Sequence, residues 1–177
     1  MIIEQSKEQL QEAIHLHTRA EIKSIRLAES HLYSRSRIDS MPATGLSFDI
    51  KFTPGTFTVE PGSLTLNTDF SFAISQEGDE DSVIRIECRF EGQYYLVADY
   101  APSPEQIEAF RTANAVFNSW PYFREYVQNT TVRMGFPPPP VEFLRLVQKQ
   151  PPGPTEKDPR GVPARTGVSR HKKPANA

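Results

Sequence analysis

Residues 115–146 read AVFNSWPYFREYVQNTTVRMGFPPPPVEFLRL. Val116, Trp120, Phe123, Val127, Thr131 and Met134 recur at steps of three and four, which puts them on one face of a helix. Asn118 or Ser119 is placed to cap its main segment, with Pro121 in the first turn, where a missing N–H has no intrahelical partner to lose. Arg133 suits the last turn, and Gly135 supplies the stop. Pro137 to Pro140 cannot continue a helix or enter a central strand, so the chain must run extended there.

Working back from that segment, four runs alternate as strands do. In 21–35, Ile25 and Leu27 alternate with polar neighbours, and Leu32-Tyr33 breaks the phase as a bulge would. After a turn at Ser40–Gly45, the second run places Phe48, Ile50 and Phe52 inward. Pro54-Gly55 interrupts it, and Phe57 and Val59 resume on the opposite parity. The third run is the most regular: Leu64, Leu66, Thr68, Phe70, Phe72 and Ile74 face one way, Ser63, Thr65, Asn67, Asp69, Ser71 and Ser75 the other. Residues 76–81 (QEGDED) read as a solvated acidic hairpin tip without the spacing of a calcium loop. The fourth run sets Ile84, Ile86, Cys88 and Phe90 against Arg85, Glu87 and Arg89. Cys88 is expected to be a small buried thiol, since a catalytic thiolate needs a base nearby and some exposure.

Helices flank the four strands. Ser6-Lys7-Glu8-Gln9 fits a capping box opening a short amphipathic helix over 6–20, with Leu10, Ala13, Ile14 and His17 on one face. Ser103 caps a second helix with Pro104 at its first position, and Ile107, Phe110 and Ala113 carry the apolar face toward Val116. Four strands followed by a helix, a short break and a long helix make an α+β fold: a four-stranded antiparallel sheet with helices packed on one face. The expected organisation is an N-terminal helix in 1–20, one folded domain in 21–150 and a tail in 151–177.

The chain has 177 residues and a net charge of −2, enough for one domain and without an overall nucleic-acid signature. The charge is uneven, however. Residues 151–177 carry six Lys/Arg against Glu156 and Asp158, leaving 14 basic and 20 acidic residues in the remainder. With no aromatic residue, Leu or Ile, that tail cannot bury enough surface to offset ordering, and it is expected to be disordered. One cysteine forms no internal disulfide, and a reducing cytoplasm is the simplest home. Neither a secretory signal nor a membrane span is expected. Glycine-rich phosphate loops, nucleophile elbows and His-Glu-x-x-His are missing, and His15 and His17 lack the spacing and partners of a metal set. An enzyme is not expected, and no cofactor or metal is called for.

Apolar material remains beyond what a simple two-layer domain obviously uses. Phe136, Phe143 and Leu144 flank the prolines; Phe48, Phe52 and Phe57 surround the broken second strand; Tyr94 and Tyr95 point to opposite faces. Such residues can all be core, or they can line a groove for extended, unfolded segments, with Pro137 and its neighbours as a stiff wall. The long helix also has a second side to offer a symmetry mate. Trp120, Tyr122, Phe123 and Tyr126 are its candidate oligomer residues.

Taken in order, Trp120-Pro121-Tyr122-Phe123-Arg124-Glu125, Arg133, Phe136-Pro137 and Val141-Glu142-Phe143-Leu144 resemble the SecB family of export chaperones. The resemblance runs from about Glu21 to Val147. It implies a four-stranded antiparallel sheet with a long helix and a short C-terminal helix, at Val141–Leu144, packed on one face, a tetramer built as a dimer of dimers, and ATP-independent holding of non-native polypeptides. The implied client-binding set is Phe48, Phe52, Phe57, Tyr94, Phe136, Pro137, Phe143 and Leu144. Glu87 is the implied contact with the translocase motor SecA, although Arg85 and Arg89 flank it and the tail is basic and proline-rich. Arg19–Ile22, Ile25–Leu27, Gly45–Asp49 and Tyr122–Val127 look closer to the SecB-like chaperones that guard antitoxins in toxin–antitoxin–chaperone modules. Two other classes compete: a structural or regulatory oligomer with a closed core and no client groove, and a nucleic-acid binder acting through the basic tail.

Overall fold

Alternation along Ser63–Gln76 (β4) fixes the centre of the molecule. Leu64, Leu66, Thr68, Phe70, Phe72 and Ile74 are all buried, while the intervening residues lie on the opposite face. In this computed structural model, which describes residues 1–35, 45–76 and 82–149, β4 pairs antiparallel with Ser82–Leu96 (β5) on one side and with Leu46–Glu60 (β3) on the other. Ala20–Ser34 (β2) pairs antiparallel with β5, so the sheet order is β2-β5-β4-β3. Consecutive strands β2 and β3 therefore form the two opposite edges. The acidic hairpin tip, the tail and most of the Ser40–Gly45 turn lie outside the described residues.

Both edge strands are bulged, and the bulges keep apolar side chains on one face. In β2 the extra residues are Lys23 and Ala28, upstream of the Leu32-Tyr33 step where the sequence suggested a bulge. They leave Ile22, Leu27 and Leu32 opposite Tyr94, Phe90 and Ile86, on the helix-covered face. In β3 the sequence predicted an interruption at Pro54-Gly55, but the strand is continuous. Gly55 and Thr56 together oppose the single residue Asn67, which flips the parity. Phe57 and Val59 thereby rejoin Phe48, Ile50 and Phe52 on one face.

Helices cover that face. Lys7–His17 (α1) starts with the capping box expected at Ser6 and Gln9, and Pro104–Thr112 (α2) has a second box at Ser103 and Gln106. Asn114–Arg133 (α3) lays Val116, Trp120, Phe123 and Val127 on β4 and β5, where Phe123 stacks on Phe70 with ring centroids 4.5 Å apart. The start of α3 corrects the sequence reading. The break falls at Ala113 (φ −124°, ψ −70°), so Asn118 and Ser119 do not cap it and Pro121 lies inside the helix. Proline has no N–H to give the Phe117 carbonyl, a loss that neighbouring packing must offset. Asn118 instead donates to the Tyr94 hydroxyl at 3.3 Å, and Ser119 is buried. Its C-terminus behaves as expected. Gly135 adopts φ +87°, and the N–H groups of Gly135 and Phe136 donate to the carbonyls of Val132 and Thr131, a Schellman stop.

The expected short last helix is not formed. Residues 137–144 form no regular element, with a tight turn where the Val141 N–H donates to the Pro139 carbonyl at 2.9 Å, and lead into Arg145–Gln148 (β6), which pairs in parallel with Ile2–Gln5 (β1). Contacts from α2 and α3 help to hold this arrangement, and the Met1 ammonium pairs with Glu142 at 2.8 Å. The Trp120 indole donates to the Glu142 carbonyl at 3.1 Å, the Arg124 guanidinium stacks over Phe143 at 4.4 Å, and Gln5 donates to the Ala109 carbonyl at 3.1 Å. Residues 2–5 are thus strand, and the amphipathic helix begins after them.

The core has two parts. One groups Phe70, Phe72, Ile84, Ile86 and Phe90 with α3, Phe136 and Leu144. The other groups Leu64, Leu66, Tyr94 and Leu96 with Leu16 of α1 and Ile107 and Phe110 of α2.

Candidate functional site

The helix layer leaves both edge strands partly uncovered on its own side. On β3, Phe48, Phe57 and Val59 are exposed, and Ile50 and Phe52 are half-buried against the core. On β2, Ile22, Leu27 and Leu32 are exposed. Large apolar side chains in rows of this kind cost solvation when uncovered, and they mark surfaces that take up apolar material. The sequence reading named Phe48, Phe52 and Phe57 but missed Val59 and the β2 row, because their facing depends on bulges. A parity change across a Pro-Gly or after a lysine was the available signal.

The β3 row is held from both sides of its bulge. Asn67 donates to the Thr56 hydroxyl at 2.9 Å on the polar face. Arg111, in the last turn of α2, donates to the Gly55 carbonyl at 2.9 Å, pairs with Glu108 and lies 6.0 Å over the Phe57 ring. Glycine is required at position 55 because a Cβ there would meet the Asn67 Cβ at 2.9 Å and its backbone oxygen at 3.0 Å.

Other residues named from the sequence divide by burial. Pro137 and Phe143 are exposed, Phe143 at 72%. Tyr94, Phe136 and Leu144 are core instead: Tyr94 is wedged edge-on against Phe110 at 5.2 Å, and burial pushes its hydroxyl pKa up. They face no groove here. Among the oligomer candidates, Trp120 and Phe123 are also internal, while Tyr122 is exposed and Tyr126 is partly covered by an edge-on contact with Phe90. Phe117, Tyr122 and Val132 form the outward apolar side of α3.

The opposite face of the sheet is polar. Arg26 pairs with Glu91 at 2.8 Å, and Arg89 bridges Asp69 at 2.7 Å and Glu29 at 3.2 Å. The His31 ring and Arg89 hold the Glu29 carboxyl below its usual range. Glu87 is exposed on this face, in register with His31 and Ser71 and flanked by Arg85 and Arg89. The surface around it is mixed in charge rather than acidic. Cys88 is buried as expected, its thiol pushed up to about 12 by burial and by the Asp69 charge. Among the described residues, no group of His, Cys, Asp and Glu is placed to hold a metal ion. No helix among them is long and apolar enough to cross a membrane.

No family model matches the chain. Curated proteins do. The SecB-like chaperone Rv1957 of Mycobacterium tuberculosis strain H37Rv is 26% identical over 166 residues, covering 84% of this chain and 90% of the relative. The SecB-like chaperone MT2006 of strain CDC 1551 is 25% identical over the same shares. Its curated relatives are SecB-like chaperones. Their fold is also present here. The structure of Rv1957, solved in complex with a ChAD peptide from the Rv1956 HigA1 antitoxin, matches with a TM-score of 0.68 at 24% identity. That match covers 77% of this chain and 99% of Rv1957 in its structure.

Proposed function

We propose that this protein is an ATP-independent holdase for extended, non-native polypeptide, and that its client is the antitoxin of a toxin–antitoxin–chaperone module. The observation carrying this reading is the SecB-like fold shared with Rv1957, whose structure holds an antitoxin peptide. The exposed apolar row on β3 supports it physically, since a binder of varied extended segments needs apolar area beside a strand more than unique contacts. Phe48, Phe52 and Phe57 line the client surface, with Pro137 and Phe143 as outlying candidates. No catalysis is assigned. The protein works in the cytoplasm as a homotetramer, using the outward side of α3 around Tyr122. Export through SecA is the less favoured duty, because Arg85 and Arg89 offset the charge of Glu87.

Mixing the purified protein with a chemically unfolded, aggregation-prone antitoxin tests this directly. Light scattering should stay low at near-stoichiometric ratio without nucleotide, and the antitoxin should resist protease. Aggregation undiminished at several-fold chaperone excess would sink the proposal. A toxin–antitoxin pair encoded beside the gene separates antitoxin duty from export. Tyr122→Asp should lower the native mass, and an unchanged mass would remove that helix side from the interface.

A further inference from the structure

The β3 row consists of two clusters, Phe48-Ile50-Phe52 and Phe57-Val59, separated by the bulge at Gly55-Thr56. Without that extra residue, Phe57 and Val59 would point to the polar face, because side chains alternate along a strand. The bulge makes the two clusters one row, and its helix-side fastening is Arg111. Through Gly55 and Phe57, Arg111 ties α2 to the edge strand.

The strand already seated beside β3 shows what a regular strand meets along this row. β4 places Ile74, Phe72 and Phe70 against Phe48, Ile50 and Phe52, sets Thr68 opposite Pro54, and then places Leu66 and Leu64 against Phe57 and Val59. The pattern is three alternating apolar residues, one small polar residue in the gap, and two more alternating apolar residues. It spans eleven positions, Leu64 to Ile74.

Building on the holdase reading above, we infer that the β3 surface selects extended client segments carrying two apolar clusters in this alternating pattern, and that Arg111 is the positioning residue that lets the second cluster count. Arg111 need not touch the client. It holds the Gly55 carbonyl and backs the Phe57 ring, so that the Phe57-Val59 cluster stays in line with the first.

Three fluorescein-labelled synthetic peptides test this by anisotropy, each flanked by lysines for solubility. One carries both clusters in the β4 spacing, one has its second cluster replaced by serine, and one has both replaced. The wild-type protein should bind the two-cluster peptide about tenfold more tightly than the one-cluster peptide, the scale of a good apolar anchor. Arg111→Ala should abolish that preference, leave one-cluster binding unchanged, and keep the wild-type circular dichroism and native mass. Arg111→Lys should restore it only partly, because an ammonium does not reproduce the planar fork that holds the Gly55 carbonyl and the Glu108 carboxylate together. Should Arg111→Ala fold poorly, the partial loss in Arg111→Lys carries the test instead, and an undiminished preference in that variant would overturn the role of Arg111. Equal binding of the one- and two-cluster peptides by wild type, or equal weakening of both in Arg111→Ala, would overturn the inference while leaving the holdase reading intact. Failure of wild type to bind any apolar peptide would reject both.

Discussion

Phe72 and Phe48 lie on the same face of one sheet with ring centroids 6.3 Å apart, yet Phe72 is 1% exposed and Phe48 is 45% exposed. Geometry accounts for the contrast. Strands are spaced about 4.8 Å apart, and a helix with its side chains is about 10 Å wide. One helix therefore covers about two strands. α3 covers β4 and β5, and the same apolar alternation on β2 and β3 is left at the margins. Chemistry alone does not separate core from exposed apolar surface in this sheet. Position relative to the helix does.

The largest consequence concerns the centre. With its pKa raised to about 12, Cys88 is almost entirely thiol at pH 8. The unfolded chain, with the ordinary value of 9.0, carries roughly a thousandfold more thiolate at that pH. A thiol reagent should label the native protein far more slowly than the urea-unfolded protein, and rapid native labelling would break the picture of a sealed centre. The linked stability has a definite sign. A raised folded-state pKa leaves stability intact below pH 9.0, and stability falls from there toward about 12 as the unfolded state ionises first. Phe123→Ala, at a fully buried ring stacked on Phe70, should next cost about 3–5 kcal/mol in urea unfolding.

At the margin the expected effect is smaller and of a different kind. Phe48→Ser should leave stability within about 0.5 kcal/mol while weakening capture of an apolar peptide by about 1–2 kcal/mol. Equal losses in both measurements would mean that the β3 row is core after all.

This division explains what could be read from the sequence. The four strands, the Ser6 capping box, the Ser103 cap, the Gly135 stop and the buried Cys88 rest on local patterns, and they stand in the structure. What was misread depends on distant partners. β1 and β6 are four residues each and meet across about the whole described chain, so no local periodicity announces them. The last helix expected at Val141–Leu144 lost to that pairing and to the Trp120 bond with Glu142. Pro121 suggested a helix start because proline is tolerated there, but packing of Ala115 and Val116 carried the helix two turns further back. At the site, Phe48 and Phe57 were legible as aromatic surplus, whereas Tyr94, Phe136 and Leu144 were not separable from them. Burial by a helix layer is not written in the strand itself. Arg111 was invisible for a similar reason, since its role comes from a carbonyl 56 positions away.

The smallest expected effect tests whether centre and margin are independent. Ser6→Ala and Ser103→Ala each remove one capping hydroxyl, and each should cost about 1 kcal/mol of stability. Both helices cover the second part of the core, where Leu16, Ile107 and Phe110 meet Leu64, Leu66 and Tyr94. Ser6→Ala should leave peptide capture untouched, because α1 packs on α2 and on the start of β2, at the other end of the sheet order from β3. Ser103→Ala is the sharper case. Its loss falls on the first turn of α2, whereas Arg111 holds Gly55 from the last. Fraying at a helix end fades within about a turn, so the clamp should survive and capture should again be unchanged. If capture instead falls with Ser103→Ala while Ser6→Ala spares it, α2 transmits the state of the core to the β3 row as a rigid unit. The client surface would then be an extension of the centre, set by the same helix that seals it.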